Sequence, residues 1–100
     1  MYLDVHTHLT HERFADDCGL VIERARTAKL GAIVVNGLEP VSNRQILDMA
    51  ERDPLIRPAL GIYPIDAVCN ILPPDFAFEV VRFDVDAEIK FIEEMAAAGR

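Results

Sequence analysis

The chain has 100 residues, 51% of them hydrophobic and 27% charged, a balance that fits one globular domain and excludes a disordered or fibrous polymer. Its net charge of −7 argues against a bare electrostatic grip on nucleic acid, which starts from a basic surface, although a bound divalent cation would reverse the field locally. No apolar run reaches the length of a membrane span, the first residues do not read as a signal peptide, and Cys18 and Cys69 form no paired motif, so the expectation is a reduced, soluble, cytoplasmic protein with no membrane partner.

In chain order, Tyr2 to His8 reads as a first strand and Thr10 to Phe14 as a polar loop. Val21, Ile22, Ala25 and Ala28 follow helical spacing, which predicts a helix from about Asp17 to Leu30 with Asp16 or Asp17 as cap and Gly31 as stop. Ala32-Ile33-Val34-Val35 is a short strand without a polar face, the pattern of a strand covered on both sides in a parallel sheet, and Asn36-Gly37 ends it. Ser42-Asn43-Arg44-Gln45 has a capping-box pattern and opens a second helix that stops near Asp53-Pro54. Ile56 to Ile62 is a third strand, and Tyr63-Pro64 opens a long loop that Pro73-Pro74 interrupts. Phe76 to Val81 is ambiguous between a strand and irregular apolar packing. From about Asp86 to Ala98 the pattern is helical again, with Val85, Ile89, Ile92 and Ala96 as its apolar stripe and Gly99 as its stop.

Strands and helices in alternation imply right-handed β/α units and a parallel sheet. The expected fold class is therefore α/β, in one domain over residues 1–100. Three such units make under half of an eight-unit barrel of about 250 residues, and a three-stranded parallel sheet leaves two unpaired edges. The chain is accordingly expected to be the N-terminal part of a larger (β/α)₈ barrel, as a truncated gene, a fragment or one half of an assembly.

The chemistry-bearing element is Asp4-Val5-His6-Thr7-His8. Side chains alternate along a strand, so Asp4, His6 and His8 are expected on one face, at the strand end where β/α barrels collect their functional groups. Two neutral imidazoles side by side form a pair that grips one metal ion. Asp4 is a candidate ligand, an acceptor that orients an imidazole N–H, or a buried hydrogen-bonded carboxylate in the barrel floor. His11 is a loop histidine within reach of the site, and Arg13 a candidate contact for an anionic substrate. Glu12, Asp16 and Asp17 read as an acidic loop and a helix cap. On the same rim, Tyr63 is either a hydrogen-bond donor to a substrate oxygen or a packing residue. Asp66 is a further rim candidate, and Asn36 is a strand-ending turn residue that also faces the rim. A catalytic zinc-type site takes three protein ligands plus water. The chain offers two convincing ones, His6 and His8, and no general acid or base stands out.

Taken together, Asp4-x-His6-x-His8-Leu9, Phe14, Asp16-Asp17, the passage from Ala28 to Gly37 and the strand Ala59-Leu60-Gly61-Ile62-Tyr63-Pro64 resemble the N-terminal part of the TatD family of metal-dependent hydrolases, most strongly over residues 1–66. The resemblance implies a (β/α)₈ barrel with one or two divalent ions such as zinc, magnesium or manganese. It implies hydrolysis by a metal-activated water, with DNA phosphodiester cleavage as the usual activity. It makes His6 and His8 metal ligands, and places the remaining family ligands on later strands with no counterpart here, so the isolated chain is expected to be inactive. The family often carries His where this chain has Tyr63. Two other readings compete. One is a non-catalytic fragment or interaction module whose sheet edges pair with a second copy or a complementing chain. The other is a different amidohydrolase-like or PHP-type hydrolase, but the latter group usually continues into a Ser-rich, Asp-Gly-containing loop that Leu9 to Phe14 does not match.

Overall fold

A computed structural model describes residues 2–77 and 79–100. Strands β1 (Tyr2–Thr7), β2 (Leu30–Asn36) and β3 (Ile56–Ala59) form one sheet in the order β1-β2-β3, with both pairings parallel. Each strand is followed by a helix: α1 (Cys18–Thr27), α2 (Pro40–Arg52) and α3 (Val85–Ala97), with 3-10 turns at Glu12–Phe14 and Asp66–Ile71. The protein is thus α/β, and its parallel sheet and helices are consistent with the N-terminal part of a TIM-type barrel.

The core lies between one face of the sheet and the helices. Ile33 and Val35 of β2, Ile56 of β3, Ile46 of α2, Leu9 and Leu55 form it, with Val21, Ile22 and Ala25 of α1 partly buried against it. Full burial of such a side chain contributes roughly 1.5–3 kcal/mol. Helix α2, which buries Ile46 and Leu47, is therefore anchored more firmly than α1, which buries no residue fully. Strand β2 is not covered on both faces as its apolar run suggested. Ile33 and Val35 are buried against the helices, whereas Val34 and Asn36 on the other face are only partly covered.

Several boundaries shift for local reasons. Lys29 takes the left-handed turn after α1 at φ 65°, so Leu30 already pairs with Tyr2 and Gly31 lies inside β2 instead of stopping the helix. The capping box of α2 lies three residues earlier than the expected Ser42–Gln45 pattern, with Glu39 as the cap and Ser42 at the third helical position. Pro40 begins the helix, the Glu39 carboxylate accepts from the Val41 and Ser42 N–H groups at 2.7 and 3.0 Å, and Ser42 Oγ accepts from the Glu39 N–H at 3.2 Å. Helix α3 is capped by Asp84 and followed by Gly99 at φ 76°. Its covered face runs through Val85, Glu88, Phe91, Ile92 and Met95, while Ile89 and Ala96 of the expected stripe are exposed. Phe78, within the ambiguous 76–81 segment, lies outside the described residues, and the described residues around it carry neither helix nor strand.

Strand β3 stops at Ala59, short of the expected Ile62, because a side chain replaces the next strand partner. Asn43, fully buried on α2, accepts from the Gly61 N–H at 3.0 Å and donates Nδ2–H to the Gly61 carbonyl at 2.9 Å. The same Nδ2 donates to Glu88 of α3 at 2.8 Å, and Arg44 pairs with Glu88 at 2.9 Å. Asn43 also fills the space beside Gly37. A Cβ at that position would lie 1.8 Å from Asn43 Oδ1 and 2.9 Å from its Cγ. Gly37→Ala is therefore expected to destabilise the fold by about 1–3 kcal/mol, the range of core overpacking. Urea denaturation measures it, and unchanged stability would show that Asn43 moves aside freely.

Candidate metal centre

Parallel pairing carries the C-terminal ends of the three strands to one rim. β1 and β2 pair through Asp4↔Ile33 and Thr7↔Val35, so β1 advances three residues while β2 advances two. The extra residue is a bulge, which interrupts the simple alternation and re-aims the side chains around Val5 and His6. Thr7 Oγ1 then ties β1 to the Val34 carbonyl at 2.9 Å, and His8 follows at the strand end beside Asn36.

There the two imidazoles meet. His6 Nε2 and His8 Nε2 are 3.2 Å apart, the ring centroids are separated by 5.1 Å, and the planes are inclined at 76°. His8 Nδ1 lies 3.2 Å from the Asn36 backbone oxygen. A carbonyl accepts hydrogen bonds and cannot donate, so that contact places the proton on Nδ1 and the lone pair on Nε2 of neutral His8. His6 Nε2–H then donates to His8 Nε2.

The pair fits a divalent ion. Two imidazole nitrogens each about 2.0–2.1 Å from one ion lie roughly 3.3 Å apart in tetrahedral geometry, close to the observed 3.2 Å. Holding an ion this way requires His6 to carry its proton on Nδ1. The outer nitrogen of His8 is already held by a carbonyl, as metal-binding histidines usually are. Among the described residues no group of three or more His, Cys, Asp or Glu side chains is poised to hold a metal.

The other candidates sort by what they touch. The Asp4 carboxylate is exposed and accepts from the His6 backbone N–H at 3.2 Å, so it neither orients an imidazole ring nor lies in a buried floor. His11 caps the first 3-10 turn, with Nδ1 accepting from the Arg13 N–H at 3.1 Å, and both residues are exposed. Asp66 is not a rim group. It is buried and accepts from the Val81 N–H at 3.0 Å, which ties the long loop together.

A cleft of about 410 Å³ opens beside the pair, lined by His6, His8, Asn36, Gly37, Gly61, Tyr63 and neighbours. Tyr63 is half exposed, and its N–H donates to the Leu38 carbonyl at 2.7 Å, which holds the β3 loop against the end of β2. Asn36 contributes the feature that sequence reading passed over. Its side-chain Oδ1 is buried without a hydrogen-bond partner. A strand-ending Asn-Gly reads first as a turn, which hides that role. A larger cavity of about 600 Å³ lies between α1 and α2 and includes Cys18. Burial, and then the charge of Asp17, push that thiol's pKa up, so Cys18 is held as the unreactive thiol.

Comparisons with known proteins place the chain in a family. Residues 3–99 match the family described as TatD related DNase. The chain is similar to the uncharacterized metal-dependent hydrolase YabD of Bacillus subtilis, with 37% identity over 68 residues, covering 68% of this chain and 27% of that protein. It is also similar to deoxyribonuclease TATDN3 of Homo sapiens, 29% identical over 92 residues, which covers 91% of this chain and 32% of the relative. The putative deoxyribonuclease TATDN3 of Mus musculus is 29% identical over 93 residues, covering 92% and 30%. The chain spans about a third or less of the length of these relatives. With a match that runs from β1 through α3, the chain belongs to the TatD related DNase family.

Proposed function

We propose that this chain supplies the first ligand pair, His6 and His8, of a metal-dependent hydrolase that cleaves phosphodiester bonds, with DNA as the substrate class. The observation that carries the reading is the 3.2 Å approach of the two Nε2 atoms, with His8 held at its other nitrogen by the Asn36 carbonyl. The names of the relatives support hydrolysis and deoxyribonuclease activity. One or two divalent ions would supply a water of lowered pKa and positive charge opposite a phosphate. That charge also answers the net charge of −7, which by itself repels DNA.

The chain's own residues have distinct tasks in this reading. His6 and His8 bind, and the Asn36 carbonyl keeps the His8 lone pair directed inward. Asn36 Oδ1 is an acceptor waiting for an N–H or O–H donor in the cleft. Tyr63 lines the same cleft and presents a phenol that donates to a substrate oxygen. A second reading rests on β1, where Tyr2, Leu3 and Val5 are more than half exposed. Such an edge pairs with a second copy or a complementing chain.

Zinc titration by calorimetry tests the first reading. The parent chain is expected to take up one ion, and His6→Ala with His8→Ala to take up none. Each single change should weaken binding by more than the roughly 10–100-fold that loss of an outer hydrogen-bonding partner costs. Undiminished uptake in the double variant overturns the assignment. Asn36→Leu keeps the backbone carbonyl and removes the unpaired oxygen, so stability to urea should rise by about 1 kcal/mol. A fall would mean that the oxygen already has a partner. For the second reading, sedimentation velocity should show association at micromolar concentration, and a single monomeric species counts against it.

A further inference from the structure

We propose that Asn43 is a positioning residue for the histidine pair, acting through the Asn36–Gly37 peptide. The inference rests on the reading of His6 and His8 as ligands, and it extends that reading to a residue on the far side of the sheet end.

The carbonyl that holds His8 Nδ1 belongs to the peptide between Asn36 and Gly37. Two contacts fix that peptide. The Gly37 N–H donates to the Ala59 carbonyl at 2.8 Å, and the Asn43 carboxamide packs against the Gly37 Cα so closely that no Cβ fits. Asn43 also binds both backbone groups of Gly61, at 3.0 and 2.9 Å. A carboxamide offers one acceptor and one donor group in a plane, the same pair that a neighbouring peptide would offer. Asn43 therefore acts as one residue of strand partner for Gly61. It sets the spacing between the ends of β2 and β3, where Gly61 lies close to the Gly37 carbonyl. Both glycines line the cleft beside the imidazoles.

Asn43 is itself held. It is completely buried, and its second Nδ2 proton goes to Glu88, which is only 3% exposed and is further paired to Arg44. The restraint thus runs from α3 through Glu88 and Asn43 to Gly37, and from the Asn36 carbonyl to His8 Nδ1. Its output is the tautomer of His8. While the carbonyl stays aimed at Nδ1, the proton stays there and Nε2 keeps its lone pair. When Gly37 shifts, the proton becomes free to move to Nε2 and block the binding nitrogen.

The test is a comparison of the full ¹⁵N-labelled chain with Asn43→Ser, using the long-range ¹H–¹⁵N imidazole spectrum and zinc titration. Ile46→Val, a core change on the same helix, serves as the control for a general loss of Tm. In the parent, His8 should appear as the Nδ1–H tautomer. In Asn43→Ser it should become a mixture with the Nε2–H form, and zinc affinity should fall roughly ten-fold, the low end of the effect of removing an outer partner. Ile46→Val should lower Tm and leave both readouts at parental values. If Asn43→Ser does not fold, Glu88→Ala should move the His8 signal in the same direction. A drop in Tm with the parental tautomer, in whichever variant folds, overturns the proposal. If the parent shows the Nδ1–H tautomer but takes up no zinc, the ligand reading fails, and the tautomer comparison alone decides the role of Asn43.

Discussion

A neutral imidazole binds a cation only through the nitrogen that carries no proton, so a histidine site depends on whatever fixes the proton at the other nitrogen. In this protein the fixing group is a backbone carbonyl on the neighbouring strand. Its reach across 28 residues of sequence exists because β1 and β2 are parallel and in a register that sets His8 beside Asn36. On the proposed reading of His6 and His8 as ligands, sheet register, the bulge in β1 and the packing at Gly37 are conditions for the site as well as for the fold.

The two faces of the sheet divide the work. The helix-facing side holds Ile33, Val35 and Ile56 against Ile46, which supplies the burial that keeps the strands aligned. The other side is partly covered and carries polar groups at the strand ends. Burial on one face thus holds an unsatisfied acceptor, Asn36 Oδ1, on the other, where it weakens the fold and suits a ligand. The Asn43 and Glu88 network crosses between these roles, since it links α3 to the rim with buried polar contacts that no apolar side chain would reproduce.

The parallel α/β order was legible in the sequence, because short strand runs of four to seven residues alternate with helical periods. That His6 and His8 come together at the end of β1 was legible as well, from residue type and strand position. What escaped were contacts made across long sequence separations. Asn43 reads as part of a capping-box pattern at the start of a helix, yet it is completely buried because the Gly61 backbone and Glu88 satisfy it. Glu88 interrupts the expected stripe of α3 for the same reason. Asp66 reads as a rim carboxylate, but a backbone N–H fifteen residues away draws it inward. Gly31 reads as a helix stop, and Lys29 takes that conformation instead because pairing of Leu30 with Tyr2 begins the strand early.

The central claim is that His6 and His8 share one ion through their Nε2 atoms. X-ray absorption at the zinc edge of the zinc-loaded chain tests it most directly. The account predicts two imidazole scatterers with nitrogens at about 2.0–2.1 Å, the remaining sphere being oxygen. A sphere containing sulfur at about 2.3 Å would place the ion on Cys18 or Cys69, and a sphere with a single imidazole would separate the pair; either result contradicts the account.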